Sequence, residues 1–107
     1  MRVLYVDPDD EHTNLATEMI NGEVEVASSI EEAREKYDGQ KVVSEYLFRE
    51  QETGVDLMDE VNTDFSLYTA YNKNFVERDS GRSLVGVDFV KKGSNSWDEL
   101  NQWLDEN

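Results

Sequence analysis

The chain has 107 residues, of which 25 are acidic and 10 are basic, so its formal net charge is −15. This length suffices for one domain, residues 1–107, and leaves no room for a second core. The negative charge repels a phosphate backbone, which argues against direct binding to nucleic acid. Cysteine is absent, which excludes disulfides and thiol chemistry. No stretch has the character of a signal peptide or a membrane span, so we expect a cytoplasmic location without membrane contact.

A charge this acidic also occurs in disordered chains, but the apolar runs here are regular and strand-like, which indicates a folded domain. An excess of surface carboxylates is typical of proteins that work in a salt-loaded cytoplasm, and the composition favours this halophilic interpretation. An ordinary acidic domain is the alternative.

Strands and helices alternate along the first half of the chain. Arg2–Val6 is a short apolar strand, and residues 11–20 carry apolar side chains at helical spacing. Glu23–Ala27 alternates charged and apolar residues, which predicts a strand near the sheet edge with one wet face. A capping-box pattern at Ser29 begins a helix that runs to about residue 37. Lys41–Ser44 is the third predicted strand.

The same alternation continues in the second half. A short helix is predicted over residues 55–61, and Phe65–Thr69 forms the fourth strand. Residues 72–83 have little apolar periodicity and predict only a short helix, before a fifth strand within residues 84–90. A second capping-box pattern at Ser96 opens the last helix. Alternating strands and helices over one short chain predict a three-layer α/β fold with a parallel sheet.

Chemically distinctive side chains follow four of these strands. Asp7, Glu45, Thr69 and Lys92 each stand at the C-terminal end of a predicted strand. In parallel sheets, ligands bind outside the carboxyl ends of the strands. Two acids, a hydroxyl and a lysine at that edge predict a pocket that handles phosphate. Lys92 is the residue that the sequence assigns most clearly to this pocket, because a buried carboxylate needs a cation as its partner.

The order of these motifs resembles the receiver domain of two-component response regulators over the whole chain, and is most similar to receivers of halophilic archaea. The family fold is a flavodoxin-like (βα)5 arrangement around a central five-stranded parallel sheet. The resemblance implies that Glu45 occupies the phosphoacceptor position, Thr69 and Phe89 form the switch pair, and Lys92 pairs with phosphate or carboxylate. Asp7 and Asp9 form the acidic pocket. The motifs that carry the resemblance are residues 6–10, 43–47, 68–70 and 87–93.

The chain departs from the family pattern at two decisive positions. Glu45 replaces the aspartate that accepts phosphate, and Pro8 replaces the second acid, which would ligate Mg²⁺ directly. Proline offers no side-chain ligand, and its fixed φ reshapes the loop. Asp7 and Glu45 remain as metal candidates, but no residue is assigned as a catalytic group or a metal ligand. We expect Mg²⁺ binding to be weak and no other cofactor.

The longer side chain of Glu45 has two expected consequences. Misplacement of a reacting group by about 1 Å can cost on the order of 10²-fold in rate, so phosphotransfer should be slow or absent. The carboxylate is also expected to pair with Lys92 and to accept a hydrogen bond from Thr69, with Phe89 turned inward. Such a pocket would partly mimic the phosphorylated state, and an inert scaffold is the open alternative.

The sequence therefore predicts an atypical receiver that signals by contact with proteins such as a histidine kinase or an output domain, through its fourth helix, fifth strand and fifth helix. Whether it forms a homodimer stays open. The alternative is a working Mg²⁺-dependent phosphoacceptor that a histidine kinase phosphorylates. A flavin binder is disfavoured, because no glycine-rich phosphate loop follows the first strand. His12 is expected to be solvated and to hold no metal.

Overall fold

The computed structural model describes residues 1–107, in which five strands and five helices alternate strictly. All strand pairs are parallel, and the strand order is β2-β1-β3-β4-β5. The predicted (βα)5 fold with a five-stranded parallel sheet is confirmed. The elements are β1 Arg2–Val6, α1 Asp10–Met19, β2 Glu23–Ala27, α2 Ile30–Lys36, β3 Lys41–Ser44, α3 Gly54–Glu60, β4 Phe65–Thr69, α4 Lys73–Ser80, β5 Asp88–Lys91 and α5 Ser96–Glu106.

Two hydrophobic clusters cover the two faces of the sheet. Successive strand residues point to opposite faces, so Leu4 and Val6 join one cluster while Val3 and Tyr5 join the other. The cluster of Leu4 also contains buried residues of α2, α3 and α4: Ile30, Ala33, Val55, Leu57 and Val76. The cluster of Val3 contains buried residues of α1 and α5: Ala16, Leu100, Trp103 and Leu104. The result is three layers, with β1, β3 and β4 buried inside the sheet.

The edge strand β2 has the burial pattern that its sequence predicts. β2 alternates exposed and half-buried residues, as predicted for an edge strand with one wet face.

No helix is long and apolar enough to cross a bilayer. The helix expected within residues 72–83 is the eight-residue α4, which ends at Gly81 in the left-handed conformation.

One local prediction is confirmed only in part, and another is wrong. The fifth strand begins at Asp88, because the preceding residues turn: the Val87 N–H donates to the Leu84 carbonyl at 3.0 Å, and Gly86 has a φ of 81°. The capping box at Ser96 is absent. Asn95 is the N-cap residue, without a side-chain cap bond, because the Ser96 hydroxyl turns inward.

The loop after β3 is anchored at its far end. Thr53 and Asp56 form a reciprocal capping box at the start of α3, which the sequence analysis missed. The Gly54 N–H donates to the Tyr46 carbonyl at 2.9 Å. A side chain at Gly54 would overlap the Glu45 carbonyl oxygen, so this position requires glycine for close approach rather than for an unusual φ. The loop that begins at Glu45 is therefore held close to the sheet.

Candidate functional site

The residues predicted to form a pocket follow neighbouring strands in the observed sheet. The ladders extend one residue beyond the strands, since the Glu45 N–H donates to the Val6 carbonyl and the Lys92 N–H donates to the Thr69 carbonyl, both at 2.8 Å. Asp7 is held in the same way, because its N–H donates to the Ala27 carbonyl at 3.0 Å, so the backbone positions all three residues at this edge of the sheet.

Lys92 bridges the two carboxylates. Its Nζ lies 2.7 Å from Asp7 Oδ2 and 3.0 Å from Glu45 Oε1, and the side chains of Lys92, Asp7 and Glu45 are 10%, 1% and 11% exposed. The ammonium also lies 5.5 Å from the centre of the Tyr68 ring. Burial alone would lower the pKa of Lys92, but hydrogen bonds and charge from Asp7 and Glu45 outweigh it and raise that pKa. Lys92 is therefore a charged bridge at neutral pH.

Asp7 accepts two further hydrogen bonds. Its Oδ2 accepts a hydrogen bond from the Tyr5 hydroxyl at 2.9 Å, and its Oδ1 accepts one from the Asp9 N–H at 2.9 Å. Burial, reinforced by the charge of Asp7, raises the pKa of Tyr5 far above its ordinary range, so the phenol keeps its proton and donates. Tyr5 was not among the predicted site residues. Its position two residues before Asp7, on the same side of the strand, was the available signal.

The second oxygen of Glu45 turns back onto its own loop. Glu45 Oε2 accepts hydrogen bonds from the Tyr46 N–H and from the Leu47 N–H, the latter at 3.2 Å. The predicted hydrogen bond from Thr69 to Glu45 is wrong. Thr69 Oγ1 instead accepts from the Tyr71 N–H at 3.4 Å. The physical reason is proximity: two backbone donors adjoin the Glu45 carboxylate and satisfy it without the hydroxyl.

The predicted switch residues lie outside this network. Thr69 is fully buried at the end of β4. Phe89 packs against the hydrophobic cluster beneath α2, α3 and α4 and is half-buried, so the expected inward position is reached in part. The side chains of Asp7, Glu45 and Lys92 form one network, and no hydrogen bond joins the side chain of Thr69 to it.

Asp9 lines the same cavity but belongs to its rim. The cavity, of about 290 Å³, is bounded by Asp7, Asp9, Glu45 and Lys92 among others. The Asp9 carboxylate is the N-cap of α1 and accepts from the Glu11 N–H at 2.9 Å, which lowers the pKa of Asp9. It also lies 3.0 Å from Nδ1 of His12, which is half-buried rather than freely solvated as expected.

The carboxylate oxygens of the pocket are all engaged in hydrogen bonds. Every carboxylate oxygen of Asp7 and Glu45 already accepts a hydrogen bond from an ammonium, a hydroxyl or a backbone N–H. Pro8, which lies between Asp7 and Asp9 in the chain, has no side-chain oxygen to offer. No group of three or more His, Cys, Asp or Glu side chains is arranged to hold a metal ion. Lys92 Nζ is the cation that lies beside both of these acids.

A tyrosine next to Glu45 connects the pocket to α4. The buried Tyr46 hydroxyl donates to Asp79 Oδ2 at 2.6 Å, and burial raises the pKa of Tyr46 above its ordinary range. The Tyr46 N–H also donates a hydrogen bond to the Glu45 carboxylate, so this residue contacts both the pocket and α4. The sequence offered no signal for this contact, because Tyr46 and Asp79 are far apart along the chain.

Comparison with known proteins shows the fold. No family model and no curated protein matches the chain. Among solved structures, it is similar to the response regulator TrrA of Thermotoga maritima in complex with Mg²⁺ and BeF, with a TM-score of 0.78 and 22% identity over 98% of this chain and 96% of that one. It is also similar to the BeF3-activated DrrB receiver domain, with a TM-score of 0.77 and 16% identity over 98% of this chain and 94% of that one. For the chemotaxis response regulator CheY4 of Vibrio cholerae, the TM-score is 0.75 and the identity is 18%, over 98% of this chain and 96% of that one. The chain thus has the fold of CheY-like response-regulator receiver domains.

Proposed function

We propose that this chain is a receiver domain in two-component signal transduction that works by protein–protein contact, with little or no phosphoryl transfer. The observation that carries the proposal is the buried bridge of Lys92 between Asp7 and Glu45 at the carboxyl edge of the sheet. The fold supports a receiver domain, and the engaged carboxylates of the pocket support a lack of phosphoryl transfer.

The carboxylate of Glu45 is poorly prepared to act as a nucleophile. One oxygen pairs with Lys92, and the other accepts two backbone hydrogen bonds. A nucleophile must present a free lone pair in line with the transferred group, and metal ions normally neutralise the developing charge. Pro8 removes one metal ligand from this edge. We therefore expect weak Mg²⁺ binding and no enzymatic turnover.

The pocket can influence the protein surface through Tyr46. Because Tyr46 donates its N–H to Glu45 and its hydroxyl to Asp79, any movement of the loop after β3 is transmitted to α4. The partner is a signalling protein such as a histidine kinase or an output domain, which contacts the face formed by α4, β5 and α5. We infer that the buried bridge of Lys92 holds the pocket in one arrangement.

The proposal is tested by titrating the isotope-labelled protein with Mg²⁺ and beryllium fluoride while following its amide NMR spectrum. We expect no saturable change at Asp7, Glu45 or Thr69, because the carboxylate oxygens are occupied. The contradicting result is a saturable change that requires both reagents and disappears in Glu45→Gln. That outcome would favour a working Mg²⁺-dependent phosphoacceptor, phosphorylated by a histidine kinase.

A further inference from the structure

The turn between α1 and β2 contains an asparagine–glycine pair that the proposed signalling function does not use. Asn21 and Gly22 are both exposed and lie in a bend outside helix and strand, at the edge of the sheet opposite the pocket. Asn21 is the one asparagine of this chain that precedes a glycine. Asparagine is among the chemically labile residues, and a following glycine leaves the next backbone nitrogen without the steric cover of a Cβ. The pair is therefore suited to a reaction between the Asn21 side chain and the Gly22 nitrogen.

The fold requires the glycine of this pair but not the asparagine. Gly22 has a φ of 129°, and a Cβ there would lie 2.9 Å from the Met1 carbonyl oxygen. Both features exclude a larger residue at this position. Asn21, in contrast, enters the hydrogen-bond network through its backbone N–H, and its side chain has no hydrogen-bonding partner in the protein. The turn thus fixes a glycine beside an amide side chain that is free to move.

The Gly22 nitrogen is also free of hydrogen bonds. Its N–H donates to no protein acceptor, whereas the N–H groups before and after it are both held. The Asn21 N–H donates to Asn101 Oδ1 at 2.9 Å, and the Glu23 N–H donates to the Met1 carbonyl at 2.9 Å. Deprotonation of the Gly22 nitrogen therefore breaks no native hydrogen bond, while the flanking bonds keep the turn in place.

Asparagines elsewhere are less favourably placed. Asn95 also precedes a small residue, but Ser96 is buried and its N–H donates to the Gly93 carbonyl at 3.2 Å. Asn14 and Asn101 lie inside α1 and α5. Three more precede residues with larger side chains: Asn62, Asn72 and Asn74. Asn95 is therefore the internal comparison, since it differs from Asn21 chiefly in the engagement of the following N–H.

We propose that Asn21 is a site of spontaneous deamidation, in which Asn21 and Gly22 close into a cyclic imide that water opens to isoaspartate or aspartate. Hydroxide removes the proton of the Gly22 nitrogen, which then bonds to Asn21 Cγ. The side-chain nitrogen takes a proton from water and leaves as ammonia, which restores hydroxide. Water then opens the imide: attack at the main-chain carbonyl routes the backbone through the former side chain and gives isoaspartate, and attack at the other carbonyl gives aspartate.

Isoaspartate lengthens the backbone by one carbon in a turn that is anchored on both sides. One anchor is Asn101 of α5, whose Nδ2 also donates to the Met19 carbonyl of α1 at 2.8 Å. The other is the Met1 carbonyl, which holds the start of the edge strand β2 through Glu23. Hydrogen bonds weaken steeply as their geometry is lost, so the inserted carbon is expected to break one of the two anchors. The modification therefore loosens this end of the sheet and adds one carboxylate to a chain of net charge −15.

The test follows the full chain in warm, mildly alkaline buffer by peptide mapping, with mass-spectrometric fragmentation that distinguishes isoaspartate from aspartate. Asn21 is expected to react faster than any other asparagine, at a rate that rises with hydroxide concentration. Unfolding in urea should change the Asn21 rate by less than an order of magnitude. The same unfolding should raise the Asn95 rate strongly, because it releases the Ser96 N–H.

Two variants separate the reaction from its consequences. Asn21→Gln keeps an exposed amide but needs a larger ring for imide closure, so it should abolish the modification at this site; thermal unfolding verifies its fold. Asn21→Asp adds the charge without lengthening the backbone. In the purified isoaspartyl form, the amide at position 21 or 23 should exchange about twofold to tenfold faster than in Asn21→Asp, the range expected for one lost hydrogen bond.

Three results would overturn the assignment of the site: no reaction at Asn21 while a peptide of residues 17–26 deamidates completely, an equal or faster reaction at Asn95, or a native Asn21 rate far below the unfolded one. Exchange at both amides equal to that of Asn21→Asp would overturn the predicted loosening. None of these measurements involves the pocket, so the inference stands or fails independently of whether Glu45 accepts phosphate.

Discussion

Replacing Lys92 by methionine is expected to lower the free energy of unfolding by about 3–5 kcal/mol, because it leaves two buried carboxylates without their shared cation. The side chains of Asp7 and Glu45 are only 1% and 11% exposed, so water compensates little for the lost ammonium. Methionine retains most of the apolar stem of lysine, which limits the loss of packing. Urea denaturation at constant salt measures the effect, since urea adds no ions.

The matched control is Arg82→Met. Arg82 binds Asp59 through two hydrogen bonds of 2.7 and 3.0 Å, but these side chains are 46% and 50% exposed. An exposed pair contributes at most about 1 kcal/mol, so this variant should lose far less stability than Lys92→Met. The double variant Glu45→Gln/Lys92→Met should recover part of the loss, because one of the two unpaired charges is gone.

The contribution of Lys92 has a defined pH dependence. The folded protein raises the pKa of Lys92 above its ordinary value of 10.5. A raised pKa means that the folded state holds the proton more tightly, so the stabilisation is complete below the unfolded pKa and is lost as pH rises through the folded one. The difference between wild type and Lys92→Met should therefore be constant near neutrality and shrink above about pH 10.5.

A Lys92→Met loss below about 1 kcal/mol, equal to that of the Arg82 control, would refute the reasoning. It would show that solvent reaches the two carboxylates and that the pocket is an exposed acidic rim. An inert scaffold would then be the better explanation of these side chains at the strand ends.

Three further predictions concern charge, close approach and the link to α4. The thermal midpoint should rise from low to molar KCl as screening relieves carboxylate repulsion, whereas a flat or falling midpoint would show that repulsion does not limit stability. Gly54→Ala should cost about 1–3 kcal/mol in urea denaturation because its Cβ overlaps the Glu45 carbonyl. Gly93→Ala, with open space around it, should cost less than about 0.5 kcal/mol, and equal losses would contradict the packing argument. Tyr46→Phe should cost about 1–2 kcal/mol and speed hydrogen exchange in α4, since Asp79 loses its donor; unchanged exchange would argue against the link.

The fold was predictable from the sequence because hydrophobic periodicity and turn residues agree in each half of the chain. All five strands and five helices were predicted in order, and a parallel sheet brings the ends of its strands together. For that reason Asp7, Glu45 and Lys92 could be grouped before their contacts were known. The start of the fifth strand was not predicted correctly, because residues 84–87 have a strand-like apolar pattern but form a turn.

The details of the site depended on contacts that no local pattern encodes. Glu45 could have reached Thr69 or its own loop, and only the position of the neighbouring backbone N–H groups decides between them. Ser96 fits a capping box by spacing, but its hydroxyl lies 2.6 Å from the Tyr68 hydroxyl across the core. For Glu45 the local backbone donors win over the distant Thr69 hydroxyl, whereas for Ser96 the distant Tyr68 hydroxyl wins over the local cap.

The central claim, that this receiver fold signals without phosphoryl transfer, is tested most directly by the intact mass of the protein after incubation with acetyl phosphate and Mg²⁺. Because both oxygens of Glu45 are engaged and Pro8 replaces a metal ligand, we predict an unchanged mass. A gain of one phosphoryl group in the wild type that is absent in Glu45→Gln would contradict the claim.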